Sequence, residues 1–244
     1  MEIKNKVALV TGSSHRVGKT IALTLATSGA RVAVHYHSQK EPAEKTLQEI
    51  RVLGGEAILL KGDISQRADW IAMRDTLLET WGKIDILVNN AAIFYKTPVF
   101  DITDQDWQNF LDINLKGTFL GCQIIGKTMV EAKSGKIINI ADVSAEKVWA
   151  EYIPYCISKA GVIALTKGMA KALAPHVVVN AISPGTVLFA ESYVPEEEEA
   201  LIRRTPLKRI GSPQDIANAV VFLIEGSDFI TGAVLNVDGG RSLT

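Results

Sequence analysis

Residues 6–23 restrict the fold more than any other stretch of the chain. Lys6-Val7-Ala8-Leu9-Val10 reads as a short buried strand, Thr11-Gly12-Ser13-Ser14-His15-Arg16-Val17-Gly18 as a tight turn, and Lys19-Thr20-Ile21-Ala22-Leu23 as the body of a helix. A strand feeding a helix through a glycine turn leaves unpaired backbone N–H groups, and the positive end of the helix dipole, facing the turn. That is an anion site, and a pyrophosphate fits it. The spacing is not the common G-x-G-x-x-G fingerprint.

The alternation continues to the C-terminus. Strand-like runs at 30–35, 57–60, 84–88, 136–140, 177–181 and 234–236 are interleaved with helical stretches at 43–53, 70–80, 104–132, 155–174 and 213–224. With the first strand this predicts an α/β fold: a Rossmann-type, doubly wound parallel sheet of about seven strands with helices on both faces. A chain of 244 residues, 47% hydrophobic and without a linker or repeat, suits a single domain spanning 1–244.

Charge and composition narrow the partners. A formal net charge of −1 argues against nucleic acid. Cys122 and Cys156 form neither a disulfide framework nor a metal-ligand cluster, so no metal is expected and a reducing, cytoplasmic setting is. No leader-like segment precedes the first strand and no uncharged apolar run of about eighteen residues follows, so no membrane association is expected. Glu196-Glu197-Glu198-Glu199 reads as a solvated helix start.

Candidate chemistry centres on Tyr155 and Lys159. Four residues apart on a helix, they share a face with Cβ atoms about 5–6 Å apart. At an effective dielectric near 20 a unit charge about 6 Å away is worth roughly 2–3 kcal/mol, or about two units off a free tyrosine pKa near 10. The phenol then becomes a useful acid near neutral pH. Asp142 lies thirteen residues before the tyrosine; Asn114 stands mid-helix, where it is locally unfavourable.

Together, the turn from Thr11 to Gly18, Asn89-Asn90-Ala91-Ala92, Asn114, Tyr155 with Lys159, Pro184-Gly185 and Val237-Asp238-Gly239-Gly240 resemble the short-chain dehydrogenase/reductase family in order and over nearly the whole length. The resemblance implies hydride transfer with a nicotinamide dinucleotide. Gly12, Ser14, His15, Arg16, Val17 and Gly18 would cradle the phosphates, Asp63 and Ile64 would flank the adenine, and Asn90 and Ala91 the ribose. Pro184, Gly185 and Val187 would hold the carboxamide. Asn114 would carry a water relay to Lys159, and Lys159 would hold the nicotinamide ribose. The second strand ends His35-Tyr36-His37-Ser38, with no acid before Glu41 to repel a 2′-phosphate. Arg16, which replaces the family's middle glycine, could then donate to that phosphate with His15, His37, Ser38 and Lys40, so NADP(H) is the expected cofactor. Phe189 replaces a threonine that often contacts phosphate.

Asp142 departs from the family's serine. Buried in a dry site it would be a neutral O–H donor, suited to protonating the nitrogen of a C=N bond. With Arg16 and Phe94 it makes the chain similar to the pteridine reductase branch, in which Phe94 would stack a pterin against the nicotinamide. Phe94, Asp142, Tyr155 and Leu188 are thus the expected substrate contacts, beneath a lid at about 188–209 lined by Leu188, Phe189 and Tyr193. The alternatives are a carbonyl reductase of another small molecule, a 3-oxoacyl thioester or a sugar, and a non-catalytic NADP(H)-binding sensor. By resemblance the long helices, through Phe119, Ile124, Ile125, Ile163, Leu165 and Met169, would pair subunits into a homo-oligomer, usually a tetramer.

Overall fold

A computed structural model of the chain describes residues 1–189 and 194–244. Its seven strands are β1 (Val7–Val10), β2 (Arg31–Tyr36), β3 (Ala57–Lys61), β4 (Ile86–Asn89), β5 (Gly135–Ile140), β6 (Val177–Pro184) and β7 (Val234–Val237). They form one parallel sheet in the order β3-β2-β1-β4-β5-β6-β7. Both faces are covered, because parallel strands need crossover helices. Side chains alternate along β1. Ala8 and Val10 pack with Ile21 and Leu25 of α1 (Arg16–Thr27) and Val220 of α8 (Pro213–Glu225), on the face also lined by Ile50 of α2 (Lys40–Val52). Val7 and Leu9 pack on the other, with Trp70 and Leu77 of α3 (Arg67–Trp81) and Ile125 of α5 (Gly117–Glu131). Strand order reverses between β1 and β4, whose ends are in register at Val10 and Val88. In open α/β sheets that crevice is where ligands bind.

One element departs from the sequence reading. The expected single helix at 104–132 is α4 (Asp104–Phe110), a π-helical turn over Leu111–Lys116, and then α5. Asn114 sits in that turn, which frees its amide from the helix surface to bond elsewhere. Within the expected lid, α7 (Pro195–Arg204) begins where Glu196-Glu197-Glu198-Glu199 read as a solvated helix start, and it has no buried residue. Pro195 at its first turn, acids Glu196, Glu197 and Glu198 after it, and Arg203 and Arg204 at its end suit the helix dipole. Helix α6 (Ile153–Ala172) leads into β6, and α8 into the last strand, β7. Among the described residues no helix is long and apolar enough to cross a membrane.

The apolar residues expected to pair subunits are largely accounted for within one chain. Ile124 and Ile125 are core residues, and Phe119 and Met169 pack against the same cluster. The helices carried more apolar residues than one sheet face needs because they also pack on each other.

Candidate active site

The glycine turn is pinned from the far side of the switch point. Asn90 and Ala91 donate their backbone N–H groups to Thr11 Oγ1 at 2.9 and 3.0 Å, while Asn90 Nδ2 donates to the carbonyls of Thr11 (2.9 Å) and Gly12 (3.2 Å). This clamp leaves no room for side chains. A Cβ on Gly12, whose φ is +61°, would lie 2.9 Å from Ala91 Cα, and one on Gly18 would strike the Gly12 carbonyl and Asn90 Nδ2. Backbone therefore lines the turn directly, as close approach of a phosphate requires.

Arg16, in place of the family's glycine, keeps the turn by adopting φ +52°. A left-handed backbone costs a non-glycine residue roughly 1–2 kcal/mol. Its Nη2 donates to the Phe189 carbonyl at 3.1 Å, tying the turn to the start of the segment expected as a lid. Arg16→Gly should therefore raise thermal stability by about 1 kcal/mol while weakening NADPH binding severalfold through loss of a cation. Lower thermal stability would contradict the strain.

A cleft of about 620 Å³ runs along the switch point, and nearly every side chain expected at the site lines it. Gly12, Ser14, His15, Arg16, Val17 and Gly18 form one end, with His37 and Ser38 after β2 and Asp63 and Ile64 after β3. Asn90, Ala91 and Phe94 follow β4; Asp142, Tyr155 and Lys159 face them, and Pro184, Gly185, Val187 and Leu188 close the far side. Asn114, Lys40 and Phe189 are exceptions. Lys40 is exposed and pairs with Glu44, one turn along α2, at 3.5 Å. Glu41, the first acid after β2, is likewise held by Lys45 at 2.8 Å, leaving the cleft there without a carboxylate from α2. Tyr193 lies outside the described residues.

Asn114 is buried behind the cleft. Its Oδ1 accepts from Ile93 N (2.8 Å) and its Nδ2 donates to the Ile93 carbonyl and Ser158 Oγ, both at 3.1 Å. Its amide thus braces the loop carrying Phe94, a duty the water-relay expectation did not include. Its backbone carbonyl accepts from Thr118 Oγ1 at 2.8 Å.

Around Tyr155 the polar groups converge. Its hydroxyl donates to Asp142 Oδ2 at 2.9 Å, and Asp142 Oδ1 accepts from Ser144 N at 2.8 Å, capping a short 3₁₀ turn over Val143–Ala145. Burial raises the Asp142 carboxyl above the ordinary aspartate range, against the opposing pull of Ser144, Lys159 and Tyr155. Lys159 is buried, with Nζ 5.8 Å from the Tyr155 ring centre and donating to the Ile140 carbonyl at 2.8 Å. Desolvation lowers its pKa to about 8, with Asp142 acting the other way. Ser144, which follows Asp142 by two residues, is fully buried and does not line the cleft.

Phe94 is exposed at the mouth. One ring face stacks on Tyr152 at 4.7 Å, nearly parallel, and the ring meets Tyr155 edge-on at 4.8 Å. Trp149 extends this aromatic wall, 6.4 Å from Phe94, and lines the cleft. The sequence reading passed over Trp149, although an aromatic between Asp142 and Tyr155 was a signal. It also passed over His35, buried at the glycine turn.

The cleft fits NADP(H): a cradle that any Cβ would fill at Gly12 and Gly18, and His15, Arg16, His37 and Ser38 at an end free of β2 acids. Among the described residues no group of His, Cys, Asp and Glu could hold a metal ion.

A dinucleotide cradle and a phenol–ammonium pair on one cleft define a nicotinamide-dependent oxidoreductase. The chain belongs to the short-chain dehydrogenase/reductase family, with NADP(H) as its cofactor. The family model described as enoyl-(acyl carrier protein) reductase matches residues 12–242. A 3-oxoacyl-[acyl-carrier-protein] reductase of Synechocystis is 38% identical over 96% of both chains. One from Staphylococcus epidermidis is 35% identical over 97% of this chain and 98% of its own. A solved structure provisionally described as a gluconate dehydrogenase, from Agrobacterium tumefaciens, superposes with a TM-score of 0.94 at 33% identity, covering 100% of this chain and 98% of that one. The names of these relatives agree with the carbonyl-reductase alternative rather than with the pteridine branch, whose resemblance rested on a few side chains in the cleft.

Proposed function

We propose that the chain reduces a polar double bond of a small planar molecule, and that Asp142 and Tyr155 together deliver the proton. Bound NADPH supplies the hydride. Tyr155 donates from its hydroxyl to the atom next to the carbon being reduced; Lys159 replaces charge at the phenol and orients the ribose side of the cofactor. Asp142, whose carboxyl pKa burial raises above the ordinary aspartate range, offers in its protonated form a second O–H beside the first. The observation that carries the proposal is the 2.9 Å bond between Tyr155 and a carboxyl whose pKa burial has raised. A carboxyl beside the phenol suits the C=N bond of a pterin-like heterocycle, whose nitrogen is protonated by one of the two as hydride reaches the carbon, and the Phe94 and Trp149 rings offer such a substrate an aromatic wall.

The names of the relatives favour a second reading, reduction of the ketone of a 3-oxoacyl thioester. There Tyr155 alone would protonate the developing alkoxide and Asp142 would position its hydroxyl. NADPH oxidation by the purified protein distinguishes the two. Turnover of a dihydropteridine, with little of a 3-oxoacyl thioester, is the expected result; turnover of the thioester alone would establish the ketone reading instead.

A further inference from the structure

The ring of His35 joins two parts of the cleft, the glycine turn and the end of β3. At 2 % exposure it accepts from Gly12 N at Nδ1 (3.0 Å), while Nε2 faces the Gly62 carbonyl at 3.0 Å. A carbonyl only accepts and a backbone N–H only donates, so the ring is neutral with its proton on Nε2. Its backbone pairs with the same turn: His35 N donates to Ser13 Oγ, and Ser13 N to the His35 carbonyl, each at 3.0 Å. The peptide between Thr11 and Gly12 is consequently held at both ends, its N–H by His35 and its C=O by Asn90 Nδ2 at 2.9 Å. Gly62 directly precedes Asp63 and Ile64, which line the cleft beyond β3.

We infer that His35 is a positioning residue for the dinucleotide, fixing the phosphate turn through Gly12 and its spacing from the β3 end of the cleft through Gly62. The inference rests on the cofactor assignment above. His35 touches no reacting atom; it sets which way the first peptide of the turn faces, and so where the following N–H groups point. Burial holds the imidazole at a pKa of about 4. His37 pushes the same way, and the Gly62 carbonyl, Asp63 and Asp69 oppose it. A proton on Nδ1 would set two donors against each other at Gly12.

The test uses the two amides that each imitate half of the ring. In His35→Asn, Oδ1 can still accept from Gly12 N; in His35→Gln, Nε2 can still donate to Gly62 but nothing accepts from Gly12. NADPH binding followed by fluorescence, with melting temperature recorded alongside, should give a Kd within about threefold of wild type for Asn and at least tenfold weaker for Gln, at similar melting temperatures. Equal Kd values for the two variants, or weakening that merely tracks melting temperature, would overturn the inference. Wild-type binding in the same titration tests the cofactor assignment separately. Should neither variant fold, ¹⁵N-histidine spectra of the wild-type protein still decide. A His35 ring neutral at pH 5.5 with the proton on Nε2, and an Nδ1 resonance that moves on adding NADPH, is expected; an imidazolium at that pH, or an Nδ1 resonance indifferent to NADPH, refutes the inference.

Discussion

Tyr155→Phe is expected to lower turnover by about two to four orders of magnitude, the usual contribution of a positioned general acid, and to leave NADPH binding within a few-fold of wild type. The change removes one oxygen and little else. The ring stays packed edge-on against Phe94 at 4.8 Å and Phe110 at 6.2 Å, so the aromatic wall and the N-terminal turn of α6 persist. Lys159 keeps its bond to the Ile140 carbonyl, which does not depend on the phenol. What disappears is the O–H directed at Asp142 Oδ2, and with it the proton nearest the reacting bond. A thousandfold loss corresponds to about 4 kcal/mol of transition-state stabilisation. Single-turnover rates with saturating NADPH, beside a fluorescence titration of cofactor, separate the two quantities. Near wild-type turnover would remove Tyr155 from the chemistry, and an equal loss of NADPH affinity would make its role structural.

The parts of this molecule that were readable in its sequence are those that local pattern alone decides. Each β-branched run became a strand within a few residues of its expected limits, because a strand buried on both faces must be continuously apolar. The glycine turn was readable for a similar reason, since Gly12 and Gly18 stand where no Cβ fits. The π turn around Asn114 was not, because it arises from bonds to Ile93 and Ser158, 21 and 44 residues away. The start of helix α7 was readable in its acidic run, but its extent was not, because it has no buried face and periodicity reports burial rather than helicity. His35 read only as the first residue of a strand end that carries no acid. Its function depends on Gly12 and Gly62, 23 and 27 residues distant. Substrate identity is harder again. The relatives match over almost the whole length, whereas the side chains proposed to meet substrate, Phe94, Asp142 and Trp149, are few and leave no periodic pattern.

Asp142→Asn should divide the two substrate classes. The amide retains an oxygen to accept from Ser144 N, so the cap on the 3₁₀ turn survives, and it nearly matches the carboxyl in volume. It cannot give up a proton. If Asp142 supplies the proton to a C=N bond, turnover of a dihydropteridine should fall by about a hundredfold or more, while reduction of a simple ketone, which needs only Tyr155, should fall less than tenfold. The pH profile carries the same information. Burial raises the Asp142 pKa, so its protonated form extends to higher pH than an ordinary aspartate's. Imine reduction should be fastest below that pKa and decline as pH rises through it. The Asn variant should lack that decline, having no proton to lose. Asp142→Ser goes further, placing a hydroxyl where most of the family has one, and should raise ketone turnover as it abolishes the imine reaction. Unchanged rates with both substrates in the Asn variant, with the alkaline limb intact, would reduce Asp142 to a cap for the turn at Ser144 and make the proton donor Tyr155 alone.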